Sequence, residues 1–149
     1  MLRLGIVACA AAALVLAEGF TFNVGGPVAS QDYQAKGARF VFRTQGCAEP
    51  AKPQVSGTAE GLVKGARQSV ALKVLALTKP GVYAVYQNWP AEGQWVVNLK
   101  GTCADASAGA LVPIGPKGFI RESSKFFPRA ATSSEIETSL KGLAEGEKK

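Results

Sequence analysis

Two cysteines, Cys47 and Cys103, stand far enough into the chain to pair, and a third, Cys9, lies near its start. There is no histidine. Ser-His-Asp and Cys-His catalysis therefore lack the imidazole that would take the proton. A redox pair is poorly served as well, with no Cys-x-x-Cys spacing and no imidazolium to hold a thiolate. Copper and zinc sites draw on His, Cys and Met, and the single methionine is Met1. No metal and no cofactor are expected. Serine lies beside lysine at Ser124-Lys125 and at Ser139-x-Lys141, neither with the Ser-x-x-Lys spacing. Glu135 and Glu137 fit a solvated first helical turn better than an acid pair for glycoside chemistry. Gly61 to Gly65 lacks the strand-to-helix setting of a phosphate loop. What remains is a basic run. Lys117, Arg121, Lys125 and Arg129 recur every four residues, interleaved with Phe119, Phe126 and Phe127. Such a run could touch anionic lipid, peptidoglycan or a partner protein. A solvated face above packed phenylalanines is the simpler expectation.

The start of the chain reads as a leader. Arg3 is followed by an uncharged apolar run from Leu4 to Leu16, then Val15-Leu16-Ala17 and Glu18. That is the charged, apolar and small-residue order of a secretory signal peptide, with cleavage expected after Ala17. A membrane anchor would need roughly 20 apolar residues, more than this run offers. Lipidation at Cys9, after Ile6-Val7-Ala8, would leave almost no apolar region ahead of the cut. Of 17 basic and 11 acidic residues, only Arg3 would leave with the leader. The modest positive excess left behind favours anionic partners weakly and makes nucleic acid a poor one. Secretion to a periplasmic or external compartment also lets Cys47 and Cys103 form a disulfide. No transmembrane segment is expected in the mature chain.

The elements that must hold these residues are mostly strands. Residues 18–37 read as a loose lead-in, broken by Gly25-Gly26-Pro27. Residues 38–115 read as the β domain. Ala38 to Thr44 alternates, with Phe40 and Phe42 on one face and Arg39, Val41 and Arg43 on the other. Gln54 to Glu60 is a short strand. Gln68 to Leu77, Val82 to Gln87 and Gln94 to Gly101 read as an antiparallel three-strand meander. Pro80-Gly81 supplies the centre of a type II turn. Ala110 to Ile114 is a further short strand. Residues 116–149 hold the basic and aromatic run and then one helix. Thr132-Ser133-Ser134-Glu135 matches a capping box, and Ile136, Leu140 and Leu143 follow at helical spacing. Cys47 and Cys103 each follow the end of a strand. The simplest way to join them lays those two strands side by side and parallel.

The stretch from Gly81-Val-Tyr83 through Gly93-Gln-Trp95 to Leu99 resembles the closing hairpin of small periplasmic immunoglobulin-like domains. The YtkA-like and FixH-like families and the copper-resistance C-type proteins are examples. The resemblance covers about a fifth of the chain and implies an antiparallel immunoglobulin-like β-sandwich with one short C-terminal helix. It departs from the metal-handling members, whose copper sites rest on histidine and methionine. It departs from antibody domains too, because Cys47 is followed by a proline-rich loop and Gly101 stands two before Cys103. The function expected on these grounds is that of a non-enzymatic envelope module that binds an envelope protein or cell-wall polymer. The alternative is a small enzyme or inhibitor acting on envelope material.

Overall fold

The computed structural model describes residues 19–147. The expected leader, with Cys9 and the cleavage site after Ala17, lies outside the described residues. Ten strands and one helix follow in order: β1 (Thr21–Gly25), β2 (Phe40–Gln45), β3 (Gln54–Val63), β4 (Ala66–Ala71), β5 (Lys73–Ala76), β6 (Val82–Tyr86), β7 (Gln94–Cys103), β8 (Ala106–Gly115), β9 (Gly118–Phe119), β10 (Lys125–Phe127) and α1 (Ser133–Glu147). One sheet has the order β1-β2-β6-β5. The other has the order β10-β8-β7-β3-β4, with β9 also paired to β8. All pairings are antiparallel. Two such sheets face to face, in this strand order, make an immunoglobulin-like β-sandwich.

The core lies between the sheets. Phe22, Val24, Phe40, Phe42 and Val85 come from one side, and Trp95, Val97, Leu99, Ala110 and Val112 from the other. Phe42 meets Phe22 edge-on at 5.6 Å and stacks on Tyr83 at 5.1 Å. Burial holds the Tyr83 hydroxyl above its usual pKa. Trp95 is accommodated by what it faces. Gly61 is its register partner on β3, and a Cβ there would sit 2.5 Å from the indole ring. The indole N–H donates to the Glu92 carbonyl at 2.8 Å, so its polar edge is satisfied.

Several expectations change. The stretch 18–37 is not loose throughout, because Phe20, Phe22 and Val24 are buried and carry β1 against β2. The three-strand meander does not form. The stretch Gln68 to Leu77 divides, β4 pairing in one sheet and β5 in the other. The reason is that Val70, Leu72 and Val74 all pack on the core between the sheets, so the chain can cross at the open edge without turning its apolar face. Only the β5–β6 hairpin survives, on the expected turn. Gly81 has φ +77°, and Val82 N–H donates to the Lys79 carbonyl at 3.2 Å. The parallel pairing of the two cysteine-bearing strands is also wrong. β2 and β7 lie in different sheets, and the Cys47–Cys103 disulfide spans them with Cα atoms 5.7 Å apart. The two strand ends meet as expected, but across the sandwich. The bond closes a span of 56 residues, which on chain entropy stabilises by about 4 kcal/mol.

Both outer faces are partly covered. On the first sheet, a single 3-10 turn at Tyr33–Ala35 lays Ala35 over Val41 and Ala84. Asp32 ties it down, accepting from Gln34 N–H and Thr78 N–H at 2.9 Å each. These two backbone donors, Thr78 first, hold the Asp32 carboxyl below its usual pKa. On the second sheet, α1 lays Ile136 and Leu140 on Val96 and Leu111. Each such side chain contributes about 1.5–3 kcal/mol when fully buried. The capping box forms as expected. Glu135 N–H donates to Thr132 Oγ1 at 3.2 Å, and Thr132 N–H donates to Glu135 Oε1 at 2.9 Å. Arg129 adds a 2.7 Å ion pair to the same carboxylate.

Two tests follow from this packing. Gly61→Ala forces a methyl into the Trp95 ring and is expected to destabilise by about 1–3 kcal/mol, read as a lower urea midpoint. An unchanged midpoint would mean the indole does not press on β3. The hydrogen bond from Arg129, then that from Thr132, lowers the Glu135 pKa from its usual 4.5 to about 2. A lowered carboxylate pKa gives stability that is fully present above about pH 4.5 and is lost as pH falls toward 2. Carboxyl NMR titration should find the Glu135 midpoint near 2 in the parent and clearly higher in Arg129→Ala. Equal midpoints in the two proteins would remove the ion pair as the cause.

Candidate functional site

The chain around β8 and α1 builds a groove. β8 ends in Pro113-Ile114-Gly115-Pro116, and the turn back into β9 keeps this edge low. Pro113 is tolerated because its missing donor faces the outer side of the strand, where β10 has already ended its pairing. Its carbonyl points to that same side and accepts from Ile120 N–H at 2.8 Å. The second half of α1 stands above this edge. Between them lies a groove of about 890 Å³, floored by Pro113, Ile114, Ile120 and Leu143.

Charged groups stand at its walls. Lys125 comes from β10 and Lys141 from α1, with Glu145 one turn further along the helix. Both lysines are exposed, and neither makes an ion pair among the described residues. Ser139 also lines the groove, but among the described residues no hydrogen bond joins it to either lysine. The groove thus offers an apolar bed with cations at its edge. An apolar bed edged by cations is a shape suited to a ligand, and among the described residues no nucleophile and base are placed together in it.

The basic run does not form one surface. Lys117 sits exposed in the β8–β9 turn. Arg121 lies over the Phe119 ring at 5.7 Å and faces a smaller hollow beside β1 and β2. Arg129 lies over Phe127 at 5.1 Å and is held by Glu135. Of the four, only Lys125 reaches the groove. The run is spread over a turn, a short 3-10 turn, a strand and an extended piece, so its four cations point to different places. The phenylalanines divide as well. Phe119 packs on the sandwich core and Phe127 under α1, while Phe126 stays 48% exposed.

Lys141, Ile120 and Leu143 were not legible as site residues. Lys141 stood out only beside Ser139, at a spacing unlike Ser-x-x-Lys, and so pointed to no site. The one available signal was Pro113 and Pro116 beside an apolar strand, which marks a backbone edge that cannot pair fully.

Other features carry less. A hollow of about 680 Å³ beside the disulfide is lined by Pro50, Pro53, Pro80 and Tyr83. Among the described residues, no three of Asp, Glu, Cys and His are placed to hold a metal ion. Among them also, no helix is long and apolar enough to cross a membrane. Two buried polar atoms, Arg39 Nε and Asn98 Oδ1, have no partner, and neither residue lines the groove. The chain matches no family model, no curated protein and no solved structure significantly.

Proposed function

We propose that the chain is an exported envelope binding module that takes its partner in the groove under α1 and catalyses no reaction. The observation that carries this reading is the groove itself, an apolar floor edged by Lys125 and Lys141. Binding sites of this kind combine an apolar bed with a few placed polar groups, and the volume falls within their usual range of about 300–1,000 Å³. Export is supported by the leader pattern in residues 1–17 and by the Cys47–Cys103 disulfide, a bond that persists in oxidising compartments. The strand order is compatible with kinship to the small periplasmic immunoglobulin-like domains that the Gly81–Leu99 stretch resembles. An envelope component is therefore the natural partner. The alternative, a small envelope-acting enzyme or inhibitor, calls for two converging carboxylates. Glu145 is the single carboxylate on the groove wall among the described residues.

Two measurements test the reading. Intact mass of the exported protein is expected to begin at Glu18, and a mass retaining residues 1–17 would contradict export by cleavage. A photo-cross-linker at Glu145, exposed on the groove wall, is expected to capture an envelope component in cells that export the chain. The same cross-linker at Tyr33, 85% exposed on the other sheet, should capture none. Capture from position 33 alone, or from neither position, would overturn the groove as the binding site.

A further inference from the structure

We infer that the ligand of the groove under α1 is a long-chain carboxylate, its acyl chain on the floor and its head group at Lys125 and Lys141. This rests on the reading of the groove as the binding site and names the chemistry it accepts.

The floor decides against an extended peptide. A peptide laid along a strand gains its affinity from main-chain hydrogen bonds to an open edge. Here the edge is spent. Pro113 and Pro116 have no N–H to offer. The Pro113 carbonyl already accepts from Ile120 N–H at 2.8 Å. Ile114 is paired to Trp95 on one side and Phe119 on the other, and Gly115 is paired to Gly118. A backbone placed here would bury its amides against groups that cannot answer them, which costs free energy. An acyl chain asks for no such partners. It needs apolar surface, which Ile114, Ile120 and Leu143 supply.

The walls decide the head group. Lys125 on β10 and Lys141 on α1 both line the groove, and neither has an ion-pair partner among the described residues. Among the described residues, Glu145 is the one acidic residue on the wall. Two lysines against one glutamate leave a single positive charge, which matches one carboxylate. A neutral head would leave that charge unmet, and a carboxylate meets it one for one. Lysine suits this role because its ammonium is a mobile point charge that does not demand a fixed bidentate geometry.

Gly142 provides a direct block. It lies on the groove wall, and a Cβ there meets nothing within 4 Å. A larger residue is better suited to a helix than glycine, so Gly142→Phe should fill the groove without unfolding α1.

The test is titration of the purified protein with myristate, with a neutral monoacylglycerol of equal chain length and an acidic peptide as comparators. Myristate is expected to bind one per chain, at least tenfold tighter than the neutral lipid. Lys125→Ala with Lys141→Ala should weaken myristate at least tenfold and leave the neutral lipid unchanged. Gly142→Phe should abolish both at an unaltered thermal midpoint. Absence of myristate binding, binding that survives Gly142→Phe, or tighter binding of the acidic peptide would overturn the inference. Should position 145 still cross-link to an envelope protein or glycan in that case, the groove stands as a binding site and only the ligand class falls.

Discussion

β7 is buried on both faces, and most of the molecule follows from covering it. Trp95 to Leu99 are all buried in succession. Trp95, Val97 and Leu99 face the opposite sheet, while Val96 lies under α1 beside Leu111. A sheet with one solvated face would tolerate polar residues at every second position. Here the second face carries Val96, which with Leu111 on β8 makes an apolar patch, and the buried Asn98 beside it, so this part of the sheet requires a cover. α1 supplies it through Ile136 and Leu140, and its place is secured by Arg67 to Glu137 at 2.7 Å and by the Arg129–Glu135 pair. The groove is a consequence. The helix continues past the strands it covers, and its second half overhangs the low edge made by Pro113 and Pro116.

The sandwich needs a closure as well as a cover. The disulfide gives it one, from the end of β2 to the end of β7 across the two sheets. At the edge formed by β4 and β5, the chain itself crosses between sheets. Trp89, buried in the loop that carries β6 over to β7, packs near Trp95 at 6.4 Å. Each sheet is thus held to the other by covalent bond, by continuous chain and by aromatic packing.

Much of this was legible in the residues, and the parts that were not have physical reasons. The Phe40/Phe42 alternation, the Pro80-Gly81 turn and the Thr132-to-Glu135 capping box are local signals, and local hydrogen bonds decide them. Sheet membership is not local. Val70, Leu72 and Val74 alternate identically whether the strand stays in one sheet or crosses to the next, because the apolar face points at the same core. The β2–β7 relation failed for a related reason. A disulfide fixes that two strand ends are near, and says nothing about whether the strands share hydrogen bonds. β1 was hidden by the glycines and proline behind it, although Phe20, Phe22 and Val24 carried the period of two. The groove was the least legible, since Ile114, Lys125 and Lys141 come from separate elements that only the docking of α1 brings together.

The proposed binding site lies on the outer face of the second sheet, where the helix that covers Val96 and Leu111 leaves a lined hollow at its free end. The sandwich core and the disulfide keep the two walls in place. Methyl NMR of isoleucine and leucine during titration with myristate examines this most directly. Shifts are expected at Ile114, Ile120 and Leu143, with Leu72 and Leu99 in the sandwich core unmoved. Shifts centred on the sandwich core, or none at the three groove residues, would contradict it.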